Sequence, residues 1–371
     1  MKKIPTKVGS LVIKPGRWVR GTLRVALLDG KPATIPLWVG AGLRARPGSR
    51  AVIGALVGGA HGNEPNGPEL VNRVVAQIRP AELEGLLIVL PLMNPWGFNT
   101  RTRLVPMDQR DLNRSYPGHA SGSFTMQVAH TIMETIVRQC DFVIDAHDAG
   151  DRIVLVSHAR VHAEPEDDPS TTLGLAFGSD IVMQRVAEPG MLAREARTLY
   201  GTTVVSLEVG GALRVWEDMQ EQAKRGVVTM LRSEGLLRGP LILPPHQHLL
   251  RDRRDIPAEL SGVQTNLVRL GDVVQKGTPL YRISDPLTGE LAIHRSKECG
   301  VVLAQNLSAI IDVGMPTMSI LSFDTCDAEA LLKTNVVHNR SDRHVVVVKG
   351  VQGWSHQKHL RLRLQPDKLG S

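Results

Sequence analysis

Apolar and polar positions change their period several times along this chain. The run AVIGALVGG (51–59) is nearly unbroken apolar sequence, and GLLIVLPLMNP (85–95) and DFVIDAH (141–147) repeat that character. Runs of this length predict strands buried on both faces. Between them, GPELVNRVVAQI (67–78) and FTMQVAHTIMETIVRQC (124–140) carry apolar residues at helical spacing. PGMLAREARTLYG followed by TTVVSLEVGG (189–211) adds one more helix and strand. The alternation predicts an α/β fold with a largely parallel or mixed sheet flanked by helices. In such sheets ligands bind at the loops beyond the strand C-termini. His61 and Glu64 follow one predicted strand, Asn94 a second and His147 a third, while Glu208 ends a fourth.

The flanking regions read differently. From Ser10 to Gly48, short apolar stretches separated by Gly, Pro and charge predict small strands and turns. VGAGLRARPG (39–48) contains G-x-G-x-x-A, but a dinucleotide loop must open a helix, and Pro47 and Gly48 break the chain within one turn. Around LPPHQHLLRDRRDIP (243–257) prolines and charges suggest a linker. Beyond it, turn signals such as GDVVQKG and DPLTGE between short strands predict a small all-β, barrel-sandwich-like domain. It resembles the barrel-sandwich hybrid of biotinyl and lipoyl carriers. No lysine occupies a matching hairpin tip, so a structural or oligomerising cap, and a homo-oligomer, are expected instead. The resulting division is a catalytic domain over 1–243, a linker over 244–257, a β-rich domain over 258–326 and a basic tail over 327–371.

Composition narrows the function. With 371 residues, 42% hydrophobic and 22% charged, the chain has room for one large domain and a smaller one. No apolar run approaches the roughly 20 residues that span a bilayer, so no membrane partner is expected. The start MKKIPTKVGS lacks the apolar stretch of a signal peptide, which places the protein in the cytoplasm. Cys140, Cys299 and Cys326 show no C-x-x-C pairing and read as buried thiols. The net charge of +7 would suit an anionic partner, but few aromatics and no nucleic-acid fold signature accompany it. The excess sits largely in the C-terminal tail, so no nucleic acid is expected.

A zinc ion takes nitrogen, sulfur or carboxylate ligands in a roughly tetrahedral array, with one position open when the site is catalytic. His61 and Glu64, in a glycine-rich turn after a strand, can point to one centre, and His147 can be delivered to the same sheet edge. Asp145 and Asp148, beside His147, are candidates to fix its tautomer. Asp111 suits a turn cap or a partner for neighbouring arginines. His158 and His162, in SHARVHAEPEDDPS, are expected in a polar, solvent-facing loop.

In order and arrangement, GGAHGNE, NPWGFNTRTR, DLNRSYPG, DAH and SLEVGG resemble the succinylglutamate desuccinylase/aspartoacylase family of zinc-dependent deacylases, over about Pro36 to Leu213. The family shares the zinc carboxypeptidase fold. The resemblance implies one Zn2+ per chain held by His61, Glu64 and His147. It also implies a general base at Glu208 and a carbonyl-polarising arginine at Arg103, with Arg101 the alternative. Asn113 and Arg114 would hold the carboxylate end of a small N-acyl amino acid. These roles agree with the chemistry: a carboxylate can take the proton of attacking water, and a guanidinium can face an oxyanion or grip a carboxylate. In layout the chain resembles the N-acetyl-diaminobutanoate deacetylase branch. The rival readings are a carboxypeptidase-like metallopeptidase acting on short peptides and a non-catalytic binding or scaffold protein.

Overall fold

The structure is a computed structural model that describes residues 1–162, 168–245 and 247–323. Its N-terminal two-thirds contains strands β1 (Trp18–Leu28), β2 (Lys31–Ala41), β3 (Ile53–Gly58), β4 (Leu86–Leu90), β5 (Phe142–His147), β6 (Ile153–Val161), β7 (Ile181–Gln184) and β8 (Thr203–Gly211). The helices are α1 (Asn66–Gln77), α2 (Pro95–Thr100), α3 (Phe124–Thr135), α4 (Pro169–Leu175), α5 (Leu192–Tyr200) and α6 (Glu217–Ser233). At the centre, β4, β3, β5 and β8 lie side by side and parallel. Residues of β3, β4 and β5 are all buried, which is why each reads as a continuous apolar run.

Alternate residues of these strands feed two cores. Ile53, Ala55 and Val57 pack on one face with Ile132 of α3 and Leu192 of α5. Leu56, Leu87 and Ile144 pack on the other with Leu70 of α1, Leu173 of α4 and Val227 of α6. The sheet is thus covered on both sides, as its sequence pattern requires. Helices α1, α3 and α5 match the expected positions, although α3 stops at Thr135 and a short 3-10 turn, Val137–Gln139, carries the chain on.

The N-terminal region differs from its reading as small strands. β1 and β2 are eleven residues each and form one antiparallel hairpin. Its two-residue loop, Asp29–Gly30, has positive φ at both positions (50° and 75°), the geometry that matches strand twist. Charged residues and prolines on the outward positions disguise the continuity of both strands.

The C-terminal strands are β9 (His248–Leu250), β10 (Arg253–Pro257), β11 (Gly262–Asn266), β12 (Pro279–Ser284), β13 (Leu291–Arg295), β14 (Gly300–Asn306) and β15 (Pro316–Ser322). β10, β15 and β14 extend the main sheet by pairing β14 with β6, so the large sheet runs β10-β15-β14-β6-β8-β5-β3-β4-β2-β1. β7 pairs with β6 and with β9. β13, β12, β11 and the bridge strand Ile310–Ile311 form a separate four-stranded sheet. Leu280, Ile283 and Ile311 of that sheet pack with Val302, Met318 and Ile320 of the large one. Residues 244–257, expected as a linker, therefore include β9 and β10.

Cys140 is a buried free thiol. Cys299, expected as a thiol, is disulfide-bonded; separation along a sequence says little about which sulfurs meet in space. Cys326 and the basic tail over 327–371 lie outside the described residues. No helix among the described residues is long and apolar enough to cross a membrane.

Candidate metal centre

The turn after β3 carries two of the predicted ligands. Gly59 has φ +66°, a conformation that side chains rarely adopt. Gly62 approaches α2 so closely that a Cβ on it would lie 1.8 Å from the carbonyl carbon of Gly97. The turn is therefore pressed against α2, and His61 and Glu64 are held at the sheet edge. β5 ends on His147 at the same edge.

Ligand-type atoms of His61, Glu64 and His147 lie within 4.8 Å of one another, and all three residues are buried. His61 Nδ1 is 2.7 Å from Glu64 Oε1, and His147 Nδ1 is 2.8 Å from Glu64 Oε2. The remaining ring nitrogens meet carboxylates: His61 Nε2 is 3.0 Å from Asp111 Oδ1, and His147 Nε2 is 2.9 Å from Asp145 Oδ2. Carboxylates behind histidines fix tautomer and orientation in metal sites. The donor set therefore fits a zinc-type cation, with both Nδ1 atoms and the Glu64 carboxylate turned to one point.

The electrostatics follow from this packing. Burial opposes ionisation of Glu64, but the two histidines overcome it and hold the carboxyl well below the usual range. Burial likewise opposes charge on His147, and Asp145 and Glu64 outweigh it, raising its pKa well above the ordinary value. Asp148 goes the other way: burial and the nearby Glu64 push it up to about 7. Its role is structural, since Asp148 Oδ2 accepts hydrogen bonds from the Asn66 backbone N–H and Asn66 Nδ2 at the start of α1. Of the two aspartates beside His147, Asp145 is the one that contacts the ring.

Arg103 reaches the cluster from the loop after α2. Its Nη1 is 3.4 Å from Glu64 Oε1, and its Nε donates to Asp111 Oδ2 at 3.0 Å. Arg101 instead ends α2 in the left-handed conformation, φ 55°. Asp111 also caps the 3-10 turn Leu112–Arg114 by accepting from the Asn113 N–H at 2.8 Å. Asn113 and Arg114 are thereby joined to the cluster through Asp111. Asn113 Oδ1 accepts from the Leu192 N–H at 3.0 Å, so the remaining polar group of the amide is its NH2, a donor. The Arg114 guanidinium donates to the Asn113 carbonyl at 2.8 Å and lies 3.6 Å from Glu188.

Glu208 of β8 stands directly beside His147 of β5 in the parallel register. Its carboxylate pairs with Arg160 of β6, Nη2 to Oε1 at 2.8 Å. Sequence reasoning missed Arg160, and it misplaced two neighbours. His158 is not in a solvent-facing loop but fully buried within β6, and His162, just past the end of β6, has its Nε2 3.0 Å from Ser206 Oγ. Residues 158, 160 and 162 alternate, so they share one face of an extended segment. That alternation was the available signal, masked by the acidic, proline-containing stretch that follows.

A buried centre of two histidines and one glutamate lies at the C-terminal ends of parallel strands in a mixed α/β sheet, a class of fold and site that could hold a metal ion. Residues 53–233 match the model of the succinylglutamate desuccinylase/aspartoacylase catalytic domain. The N-alpha-acetyl-L-2,4-diaminobutyric acid deacetylase of Halomonas elongata is 28% identical over 275 residues, which are 70% of this chain and 79% of that protein. A succinylglutamate desuccinylase from Silicibacter sp. TM1040 is 25% identical, with a TM-score of 0.71, covering 83% of this chain and 96% of its own. The product-bound ectoine utilization protein EutE (DoeB) from Ruegeria pomeroyi, 24% identical, shares the fold with a TM-score of 0.73 over 85% of this chain and 98% of its own.

Proposed function

We propose that this protein is a zinc-dependent amidohydrolase that removes the acyl group from the nitrogen of a small N-acyl amino acid. The observation that carries the reading is the convergence of His61, Glu64 and His147 with Glu208 next to His147 in strand register. The deacetylase and desuccinylase names of the similar proteins supply the substrate class.

His61 Nδ1, Glu64 and His147 Nδ1 would hold one Zn2+. Bound there, zinc supplies Lewis acidity, lowering the pKa of water from near 16 to about 7 and polarising a carbonyl. The chain's own residues do the rest. Glu208 accepts the proton of the attacking water and returns it to the leaving amine nitrogen. Arg103, steadied by Asp111, presents its guanidinium to the carbonyl oxygen as negative charge develops there. The Asn113 NH2 and the Arg114 guanidinium donate hydrogen bonds to the carboxylate of the amino-acid product half.

The test combines metal analysis with a substrate panel: N-acetyl and N-succinyl amino acids, including N-alpha-acetyl-2,4-diaminobutyrate, beside short peptides. Stoichiometric zinc and cleavage of acyl amino acids are expected. Cleavage of peptides alone would make the protein a carboxypeptidase-like peptidase. No stoichiometric zinc, and no hydrolysis on adding it, would leave a binding or scaffold protein. Within an active enzyme, Glu208→Gln should keep zinc and lower kcat by about 10²–10⁴-fold, the usual contribution of a general base.

A further inference from the structure

We propose that Arg160 is the positioning residue for Glu208, holding its carboxylate in the one orientation from which it can receive a proton. The inference rests on Glu208 being the general base.

The strand registers set up the geometry. β8 pairs with β5 so that Ser206 faces Asp145 and Glu208 faces His147. β8 pairs on its other side with β6 so that Ser206 faces Arg160 and Glu208 faces His158. Two rows of polar side chains therefore cross three strands on one face of the sheet, Asp145–Ser206–Arg160 and His147–Glu208–His158. Arg160 starts one row behind Glu208 and reaches diagonally forward, its Nη2 2.8 Å from Oε1. That contact engages Oε1 of the carboxylate.

Glutamate has three side-chain torsions, and an unrestrained carboxylate spreads over many rotamers. A reacting group misplaced by about 1 Å can lose on the order of 10²-fold in rate. The guanidinium removes that freedom, and its own position is fixed by burial. The side chains of Arg160 and Glu208 are 16% and 9% exposed. Arg160 Nε is buried with no hydrogen-bond partner among the described residues, so none of them competes at that atom for its orientation. A planar fork restrains a carboxylate more tightly than a flexible ammonium does.

The experiment uses the zinc-loaded enzyme and one accepted substrate. kcat, KM, zinc content and melting temperature are measured for Arg160→Ala, Arg160→Lys, Glu208→Gln and the Arg160→Ala/Glu208→Gln double variant. Arg160→Ala should lower kcat by about 10- to 100-fold with KM little changed and zinc retained, and added guanidinium ion should restore part of the loss. Arg160→Lys should fall between wild type and Arg160→Ala, which keeps the test intact if the alanine variant folds poorly. In the Glu208→Gln background the alanine substitution should cost little more. A rise in KM with unchanged kcat would make Arg160 a substrate-holding residue and overturn the inference. So would equal losses in both backgrounds, or a lower melting temperature with normal kcat per zinc. A normal Glu208→Gln loss beside an active Arg160→Ala sinks this inference alone, whereas wild-type turnover by Glu208→Gln sinks the general-base reading as well.

Discussion

Asp111 and His61 meet at 3.0 Å, Oδ1 to Nε2, while the second oxygen of the same carboxylate takes the Arg103 Nε–H at 3.0 Å. One aspartate thus contacts both a proposed metal ligand, His61, and the arginine proposed for the oxyanion, Arg103. Burial opposes its ionisation, but His61 and Arg103 hold its carboxyl well below the ordinary carboxylate range. Asp111→Asn should weaken zinc affinity by about 10–100-fold, the usual effect of removing such a partner, and lower kcat even in zinc-saturated enzyme. Competition with a chelator of known affinity measures the first effect; unchanged affinity would show that His61 needs no help from this carboxylate.

Arg114 gives a different signature. A guanidinium that grips the product-half carboxylate does so before and during the reaction, so its loss removes uniform binding. Arg114→Ala should raise KM by about 10- to 100-fold, the value of a charge-assisted contact, with kcat within a few-fold of wild type. Steady-state kinetics decide it, and an unchanged KM would place the substrate carboxylate elsewhere.

Gly62 is predicted to tolerate no side chain. A Cβ would overlap the Gly97 backbone at 1.8 Å, and neither partner is a flexible side-chain end. Gly62→Ala should lower the melting temperature and, by lifting the His61–Glu64 turn off α2, reduce zinc retention as well. A variant that matches wild type in both would mean that the turn can shift without disturbing its ligands.

His158 should make the fold acid-sensitive. Burial first, then the charges of Arg160 on its own strand and Arg253 on β10, lower its pKa from 6.5 to about 3. The unfolded chain, with a histidine pKa near 6.5, then binds more protons than the folded one, so stability rises with pH. The contribution is fully present above about pH 6.5 and is lost progressively as pH falls toward 3. His162, lowered to about 4 by burial and by Arg160, acts in the same window. His158→Leu should therefore flatten, without abolishing, the fall in melting temperature of chelator-treated protein between pH 7 and 4. An identical slope in the variant would assign that acid sensitivity to other groups.

The parallel centre of the fold was legible because strands buried on both faces have no polar positions to hide them. The clustering of His61, Glu64 and His147 was legible for a related reason: polar side chains at the ends of apolar runs stand out. β6 was not, because Ser157, His158, Arg160 and His162 give an internal strand and its end the look of a loop. α6 was also missed; its sequence EDMQEQAKRGVVTMLRS opens on polar and charged residues, and its continuous buried stretch, Gly226 to Leu231, comes only in the second half. Arg160 could be recognised only after its strand had been placed, since its partner is on a neighbouring strand 48 residues further along the chain. The two eleven-residue N-terminal strands show the same difficulty, their continuity depending on pairing that composition does not encode.

The pairing of β6 gives the C-terminal strands a second consequence. β14 covers Ile153–Leu155 of β6, and β9 covers β7 beyond it. Cutting the chain before residue 244 would strip both and leave rows of unpaired N–H and C=O groups, one of them on the strand that bears Arg160. Open rows of that kind recruit strands from other molecules. The trimmed protein should be sticky rather than merely smaller, and the C-terminal region serves as the selvedge that keeps the large sheet from fraying into its neighbours.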